Sequence, residues 1–195
     1  MSTTDQALAQ TIQYALIEIP DGGQTWSSLL WTRDEVFNIC NQRQNLLLDA
    51  THLLIGIANV SVTAGNTRIA LPTDLLKLFT VVWRGVDGTV RELLRSDSFE
   101  ADHAIPTWEL TNTQAPLVYM EEEAPQDFVQ IGPAPLVKGL LELLYVPLGT
   151  SLIAGNGEIL VVPDEFAHVV KYGALADLLN KDGRGQDLGR ASYCR

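Results

Sequence analysis

The sequence LPTDLL at residues 71–76 opens a long region of strand-forming residues, and VPDEFAH at residues 162–168 closes it. In the first segment, a Pro-x-Asp turn separates two apolar runs. In the second, Pro163 suits a first helical turn, where its missing N–H is not needed, and Asp164 and Glu165 meet the positive end of the helix dipole. The two segments therefore predict a β-rich middle with helical sequence after it.

Runs of strand-forming residues within this region are short, and no helical pattern separates them. β-Branched and aromatic residues dominate the runs, and Gly-, Asp- and Pro-containing turns end them. The predicted strands are 68–71, 78–84 and 89–94 (the last two forming a hairpin around the turn 85–88), then 117–121, 128–131 and 140–146. Such short connections predict antiparallel pairing.

Helical patterns flank the strands on both sides. Thr25 is predicted to cap a short turn over 26–31, and Thr32 with Glu35 forms a capping-box pattern. The helix behind it is predicted to reach about Leu54, with an Asn- and Gln-rich polar face suited to contact with another protein or with solvent. Its predicted apolar stripe consists of Val36, Ile39, Cys40, Leu46, Leu47 and Ala50. A second helix from Pro163 is interrupted at 182–185 and resumes at Gln186, so the fold class is predicted to be α+β. The predicted apolar stripe of this second helix consists of Phe166, Val169, Val170, Leu175, Leu178 and Leu179.

Composition excludes several function classes. The 195 residues carry 24 acidic side chains against 13 Lys and Arg, a net charge of −11, which argues against a surface that grips nucleic acid. Cys40 and Cys194 show neither metal nor disulfide spacing, and Cys40 is expected to be buried. The N-terminus shows no secretory signal and no apolar run is long enough to span a membrane, so the chain is predicted to stay in a reducing cytoplasm until it is assembled.

The search for catalytic and cofactor motifs is negative. Glu165 and His168 have the i, i+3 spacing of di-iron bundles, but the sequence contains no second copy of that motif. The glycine clusters at 155–157 and 183–185 lack the lysine and hydroxyl of a phosphate-binding loop, and the serines lack a nucleophile-elbow context. We therefore predict a non-enzymatic protein with no catalytic residue, no metal and no cofactor.

The order of these elements resembles the head-to-tail connector, or adaptor, proteins of tailed bacteriophages. The resemblance rests on the helix 31–51, the LPTDLL segment, Pro-x-Trp at 106–108, the proline-rich turn after Ile131, the strand 140–147, the PDEF helix start and Ala-x-Tyr-Cys-Arg at 191–195. It covers most of the chain after residue 25, whereas residues 1–23 match nothing in it. Because many connectors are almost entirely helical, the β-rich middle points to the subset with an inserted β domain.

The resemblance implies an architecture, a location and partners. Residues 1–58 and 162–195 are expected to pack together as a helical core, and residues 59–161 to form the inserted antiparallel β domain. It implies a virion protein of the neck, forming a twelve-membered ring that binds the portal protein on one side. The other side would bind tail, nozzle or tail-fibre-anchoring proteins, and DNA would pass through the channel without specific binding. Another neck or tail-completion protein, or a soluble enzyme or small-molecule binder, remains the alternative.

The expected portal contacts lie on the terminal helices. The candidate residues are Arg33, Gln42, Gln44, Gly183, Arg184, Gly185 and Arg190. The glycine-containing break between the last two helices is interpreted either as a hinge that reorients on assembly or as a simple tight turn. If it is a hinge, replacing Gly183 and Gly185 with alanine should impair ring assembly and leave the stability of the monomer nearly unchanged. The helical pattern continues to Arg195, so we expect either a longer natural chain or an end that a partner completes.

Overall fold

The computed structural model of the chain describes residues 3–16, 30–104, 108, 111–121, 127–153 and 157–195. The fold is α+β, as predicted, with helices at both ends and mainly antiparallel sheets between them. The chain divides into two compact units: residues 1–53 with 148–195, here called the helical unit, and residues 54–147, the sheet unit. The expected limits at 59 and 161 differ from these, because a strand already begins at Gly56 and residues 148–161 group with the helices.

Helices and strands are numbered in chain order. The helices in the described part are α1 (Asp5–Ala15), α2 (Arg33–Thr51), α3 (Ser98–Ala104), α4 (Ala167–Asn180, preceded by a 3-10 turn at Asp164–Phe166) and α5 (Leu188–Tyr193). The strands are β1 (Gly56–Val62), β2 (Arg68–Ala70), β3 (Leu75–Gly85), β4 (Val90–Glu92), β5 (Leu94–Arg95), β6 (Asn112–Thr113), β7 (Val118–Glu121), β8 (Phe128–Gly132), β9 (Ala134–Pro135) and β10 (Gly139–Pro147).

Helix α1 is missing from the sequence-based prediction. Thr4 caps it by accepting a hydrogen bond from the Ala7 N–H (3.3 Å), and Leu8 and Ile12 are buried. The spacing of Leu8, Ile12 and Leu16 is helical, so the signal was present but short. The first residue of the helix is also held by a backbone hydrogen bond, because the Asp5 N–H donates to the Glu158 carbonyl (2.8 Å).

Helix α2 begins as predicted, with the Thr32 hydroxyl accepting from the Glu35 N–H (3.2 Å). It ends at Thr51 and not near Leu54, because His52 adopts the left-handed conformation (φ 53°). The predicted apolar stripe is wrong at Leu46, which is 57% exposed, and at Ala50, which is exposed. The buried face instead runs through Val36, Phe37, Cys40, Gln44 and Leu48. The buried face of the helix is therefore not the predicted one: it follows residues 36, 40, 44 and 48 at i, i+4 spacing and includes the polar Gln44.

The C-terminal helices follow the predicted layout. The start at Pro163, the break at 182–185 and the later helix α5 are all present. Helix α4 packs against α1, α2 and α5 through buried residues that include Val170, Leu175, Leu178 and Leu179. Val169, predicted to share this apolar stripe, is 41% exposed. The core of the helical unit therefore lies around α4, with Trp31 buried beside it and donating to the Leu178 carbonyl (3.3 Å).

The sheet unit contains two four-stranded sheets, ordered β1-β10-β3-β4 and β2-β8-β7-β5, and a two-stranded sheet β6-β9. The predicted hairpin is present as β3 and β4, which pair antiparallel around the 85–89 turn. Strand β1 was not predicted, since its sequence GIANVSV follows the helix directly and lacks a turn before it. The predicted antiparallel pairing is confirmed in the main ladders, whereas two short pairs, β5 with β7 and β6 with β9, are parallel.

One apolar cluster joins the two larger sheets. Trp83, Leu141 and Leu143 come from the first sheet and Val129 and Ile131 from the second, and all five are fully buried. Because both sheets contribute to the same cluster, they pack face to face. Along β1 and most of β10, more buried and more exposed residues alternate, as the period of two requires.

Candidate partner-binding surfaces

Three amide side chains on α2, those of Asn41, Gln44 and Asn45, form hydrogen bonds with backbone groups of the segment 149–161. Asn41 donates to the Leu152 carbonyl (3.1 Å) and accepts from the Leu152 N–H (2.9 Å). Asn45 accepts from the Gly149 N–H (3.0 Å). Since the residues are spaced three to four apart, they lie on one helix face and together hold the segment that follows β10.

Gln44 is the buried member of this set, at 0% exposure. Its Nε2 donates to the Thr150 carbonyl (3.0 Å) and its Oε1 accepts from the Val161 N–H (3.3 Å). The prediction that this amide lies on the outer polar face of the helix is therefore wrong. The physical reason is that a buried amide is accommodated when its hydrogen bonds are satisfied, and here the partner is the chain itself. Gly149 is required beside it, because a Cβ at that position would overlap the Gln44 side chain.

Two other predicted contact residues on α2 lie nearer the surface. Gln42 is exposed. Arg33 is half-buried, with its guanidinium carbon 5.5 Å from the ring centre of Phe37 on the next turn. The structure does not bring these two residues into one cluster, because they lie nine positions apart on α2.

The predicted contact residues near the C-terminus form part of a bonded turn. The Gln186 N–H donates to the Gly183 carbonyl (3.2 Å), and the Asp187 N–H to the Leu179 carbonyl (2.9 Å). Gly183 has φ 141°, a conformation that favours glycine, whereas a Cβ on Gly185 would lie 2.5 Å from Trp31 Cζ2. Alanine at either glycine is therefore expected to lower the stability of the monomer, in contrast to the expectation for a hinge.

Arg184 and Arg190 have different surroundings. Arg184 is exposed. Arg190 is half-buried and its guanidinium donates to the Ala15 carbonyl at the end of α1, so it joins the first and last helices of the unit. Its N–H also donates to the capping carboxylate of Asp187 (3.0 Å). Arg184 is thus the more accessible of the two for a partner.

A groove of about 420 Å³ lies between α2 and α4, beside the end of the chain. Leu46, Val169 and Tyr172 line it, and they are 57%, 41% and 43% exposed. The sequence pattern assigned the first two to the core, because an apolar residue on a helix gives the same periodic signal whether it faces the core or a partner. This exposed apolar surface is the feature of the helical unit that sequence reasoning missed.

An ion pair borders the groove. Arg43 donates from Nε to Asp177 Oδ2 (2.6 Å) and from Nη2 to Oδ1, a two-point contact between α2 and α4. The hydrogen bond that Arg43 donates to the Asp177 carboxylate raises the pKa of Arg43, so the guanidinium stays charged. Lys181 and Glu35 form a second ion pair between the same two helices. Of these four side chains, Arg43 lines the groove, so the first pair bridges the two helices at the groove itself.

The described residues offer little for metal or covalent chemistry. Among them, no group of three or more His, Cys, Asp or Glu side chains is arranged to hold a metal ion. Burial raises the pKa of the Cys40 thiol to about 12, which makes it unreactive near neutral pH. Within the same part of the chain, no helix has the length and hydropathy that crossing a membrane requires.

Comparison with known families decides the classification. A family model described as SU10 adaptor protein matches residues 6–193. The chain belongs to this family. No curated protein compared with the chain matches it. The resemblance to phage head-to-tail adaptors is thereby confirmed, and it now extends over α1, which the motif comparison did not reach.

Membership in the SU10 adaptor family makes this chain a structural protein of a bacteriophage. The surfaces described above are therefore best considered as places for protein contact. In the helical unit these are the apolar groove beside Tyr172 and the exposed Arg184; in the sheet unit they are exposed strand faces and edges.

Proposed function

We propose that twelve copies of this chain form a ring in the neck of the virion, between the portal and the tail. The observation that carries the proposal is the adaptor-family match across residues 6–193, which spans both units. The ring assembles in the host cytoplasm and gives tail, nozzle or tail-fibre-anchoring proteins a surface on which to dock.

The helical unit supplies the portal contact in this proposal. Its exposed groove provides apolar area, and Gln42, Arg184 and the half-buried Arg33 provide polar groups elsewhere in the same unit. Gln44 takes no part, because its amide is buried against residues 150 and 161. A contact of this kind, with an apolar centre and a polar rim, is the usual composition of a protein interface.

The acidic balance suits a channel through which DNA passes. A wall with few cations does not neutralise phosphates, so DNA moves along it without tight binding. Changing carboxylates of the channel wall to lysine should slow or trap DNA during ejection. Unchanged ejection from virions that carry such rings would contradict this role.

Electron microscopy of mixtures tests the assembly directly. The full chain is mixed with purified portal rings of the same phage, and a stacked second ring of twelve subunits is expected. Tyr172→Asp, which charges the groove, should prevent stacking, whereas Thr73→Asp, at an exposed turn of the sheet unit, serves as the control. A wild-type chain that ignores portal and decorates tail tubes would instead be a tail-completion protein.

A further inference from the structure

Strand β1 forms one edge of the first sheet and pairs only with β10. An exposed edge presents unpaired backbone N–H and C=O groups, and proteins usually protect it with a short strand, charged side chains or proline. The other three edges of the two large sheets are protected in this way. Strands β2, β4 and β5 have only two or three residues each, and they carry Arg68, Arg91 and Arg95 respectively.

Strand β1 lacks all of these protections. It is seven residues long, and its sequence GIANVSV contains no charged residue and no proline. Ile57 is 66% exposed, and Asn59 and Ser61 are also exposed. The contrast with the other three edges indicates that this one is kept open for another strand.

The direction of the backbone groups in β3 follows from the ladder. The Leu93 N–H donates to the Val81 carbonyl (2.8 Å), so Val81 directs its backbone groups toward β4. Successive residues of an antiparallel strand point their backbone groups to alternate sides. Val82 therefore faces β10, where its partner is Glu142. The bond from the Val86 N–H to the Lys138 carbonyl (3.3 Å) continues the same alternation.

The alternation carries through β10 to β1. Leu141 and Leu143, the neighbours of Glu142, face β1, where they pair with Val60 and Ala58. The residues between these, Ile57, Asn59 and Ser61, therefore direct their N–H and C=O groups away from β10. Among the described residues, no backbone group outside the ladder bonds to these three.

The charge of the chain bears on what covers this edge. Residues 54–147 contain twelve acidic side chains against six Lys and Arg, so two sheet units repel each other at long range. Pairing β1 with β1 of another copy would also join only two copies, whereas a ring needs a heterologous contact. Both considerations favour a different protein that presents a segment without acidic side chains.

We propose that β1 is a docking edge, which receives an extended, acid-free segment of the tail or nozzle protein as an additional strand. This mode of recognition draws affinity from main-chain hydrogen bonds and specificity from alternate side chains. The groups used are the outward N–H and C=O of Ile57, Asn59 and Ser61, and the exposed side chain of Ile57. The identity of the neighbour rests on the proposed ring function.

Binding of the purified tail or nozzle protein of the same phage to preformed portal–adaptor rings tests the docking edge. Asn59→Pro removes one outward N–H and leaves the bonds of Ala58 and Val60 to β10 in place, and Asn59→Lys charges the edge. We expect Asn59→Pro to weaken binding about tenfold or more, because a main-chain hydrogen bond to the added strand is lost. Asn59→Lys should weaken binding to a similar extent, because a charged side chain on an edge strand disfavours pairing with a further strand. Val90→Lys, on the short edge β4 where Val90 is 59% exposed, is the matched control and should bind like the wild type.

Hydrogen exchange gives a second readout. Amides 57, 59 and 61 should exchange fast in the free ring and slowly in the complex, whereas amides 58 and 60 should be protected in both.

If Asn59→Pro does not fold, the binding measured with Asn59→Lys tests the proposal. Intact Asn59→Lys rings that bind the tail protein as well as the wild type would contradict the docking edge, but they would not contradict the proposed ring function. If the Asn59→Lys chain forms no rings, the partner of β1 is a second copy of the chain, and the proposed docking of a tail protein is contradicted. A wild-type chain that forms no ring overturns the proposed function together with this inference.

Discussion

Gly185 shows how one residue without a side chain holds a turn in place. Its missing Cβ leaves room for the indole of Trp31, which is buried and bonded to the Leu178 carbonyl. Gly183, two residues before, has open space around it but a positive φ of 141°. The two glycines are therefore required for different reasons, one by packing and the other by backbone conformation.

We expect Gly185→Ala to lower the free energy of unfolding by about 1–3 kcal/mol, because overpacking forces the indole or the turn to shift. Gly183→Ala should cost about 1–3 kcal/mol through backbone strain alone. Urea denaturation measures both. The control is Gly189→Ala in α5, where the new Cβ would have ordinary contacts and alanine favours the helix by about 1 kcal/mol. Equal stability of the Gly185 and Gly189 variants would contradict the packing argument.

Asp164 is a second residue with a local role, at the start of the 3-10 turn before α4. Its Oδ1 accepts from the Thr3 N–H (2.5 Å) and the Thr3 hydroxyl (2.7 Å). These bonds favour the charged form and lower the pKa of Asp164 below its usual value of 3.8. A lowered pKa in the folded state means that the stabilisation is present above the unfolded pKa and lost as the pH falls through the folded pKa.

The expected consequence is a pH-dependent difference between the wild type and Asp164→Asn. The variant should unfold at a lower temperature at neutral pH, and the difference should disappear as the pH falls below 3.8. Thermal unfolding followed by circular dichroism across this pH range measures it. Glu165→Gln, at the next exposed position, is the control and should differ little from the wild type at any pH. A difference that persists in acid would rule out the hydrogen-bonded carboxylate as its cause.

Helix α2 is the element in which sequence reasoning succeeded and failed side by side. Its N-terminus was predictable, because a capping box is a local interaction between Thr32 and Glu35. Its buried face was not, because Gln44 is polar and its partners at residues 150 and 161 lie more than a hundred positions away. Hydrophobic periodicity reports apolar residues only, so a buried, fully bonded amide is invisible to it.

The amide of Gln44 also gives the sharpest prediction at the scale of an element. Gln44→Ala should lower the free energy of unfolding by about 1–3 kcal/mol, because the Thr150 carbonyl and the Val161 N–H lose their partner in a buried site. Chemical denaturation measures the change. Gln42→Ala on the exposed face of the same helix is the matched control, expected within about 0.5 kcal/mol of the wild type. Similar values for the two variants would show that the amide contributes nothing to holding segment 149–161.

Strand β1 illustrates a different limit of sequence reasoning. The strands 78–84, 128–131 and 140–146 were recognisable because turn residues separate them and β-branched residues fill them. Strand β1 follows α2 after only four residues, and its alternation of small and branched residues is weak. Its identity as a strand depends on pairing with β10, whose partner residues lie 77 to 89 positions away along the chain. The docking edge could not be predicted from the sequence for the same reason: it exists only because β1 pairs with a strand that is distant along the chain.

At the scale of the whole molecule, the division into two units explains why family and fold class were predictable while contact residues were not. The order of helices and strands is written in local patterns, and this order carries the adaptor resemblance that the family match confirms. Contact surfaces depend instead on which side of each helix or strand remains uncovered. The pattern predicted that Leu46 is buried and Gln44 exposed, whereas in the structure Leu46 is exposed and Gln44 is buried.

The sheet unit should fold without the rest of the chain. Its main apolar cluster runs from Val62 to Tyr145 and thus lies entirely within residues 54–147. Its two ends are adjacent, since Gly56 pairs with Tyr145. All strands of both large sheets lie between these ends, so excising the unit cuts none of them.

We expect the fragment 54–147 to unfold in one cooperative urea transition, seen both by far-UV circular dichroism and by tryptophan fluorescence. Leu141→Ala, which removes a fully buried side chain, should destabilise that fragment by about 2–5 kcal/mol. A fragment without a cooperative transition would mean that this core requires the helical unit, and the two units would then have to be treated as one folding domain.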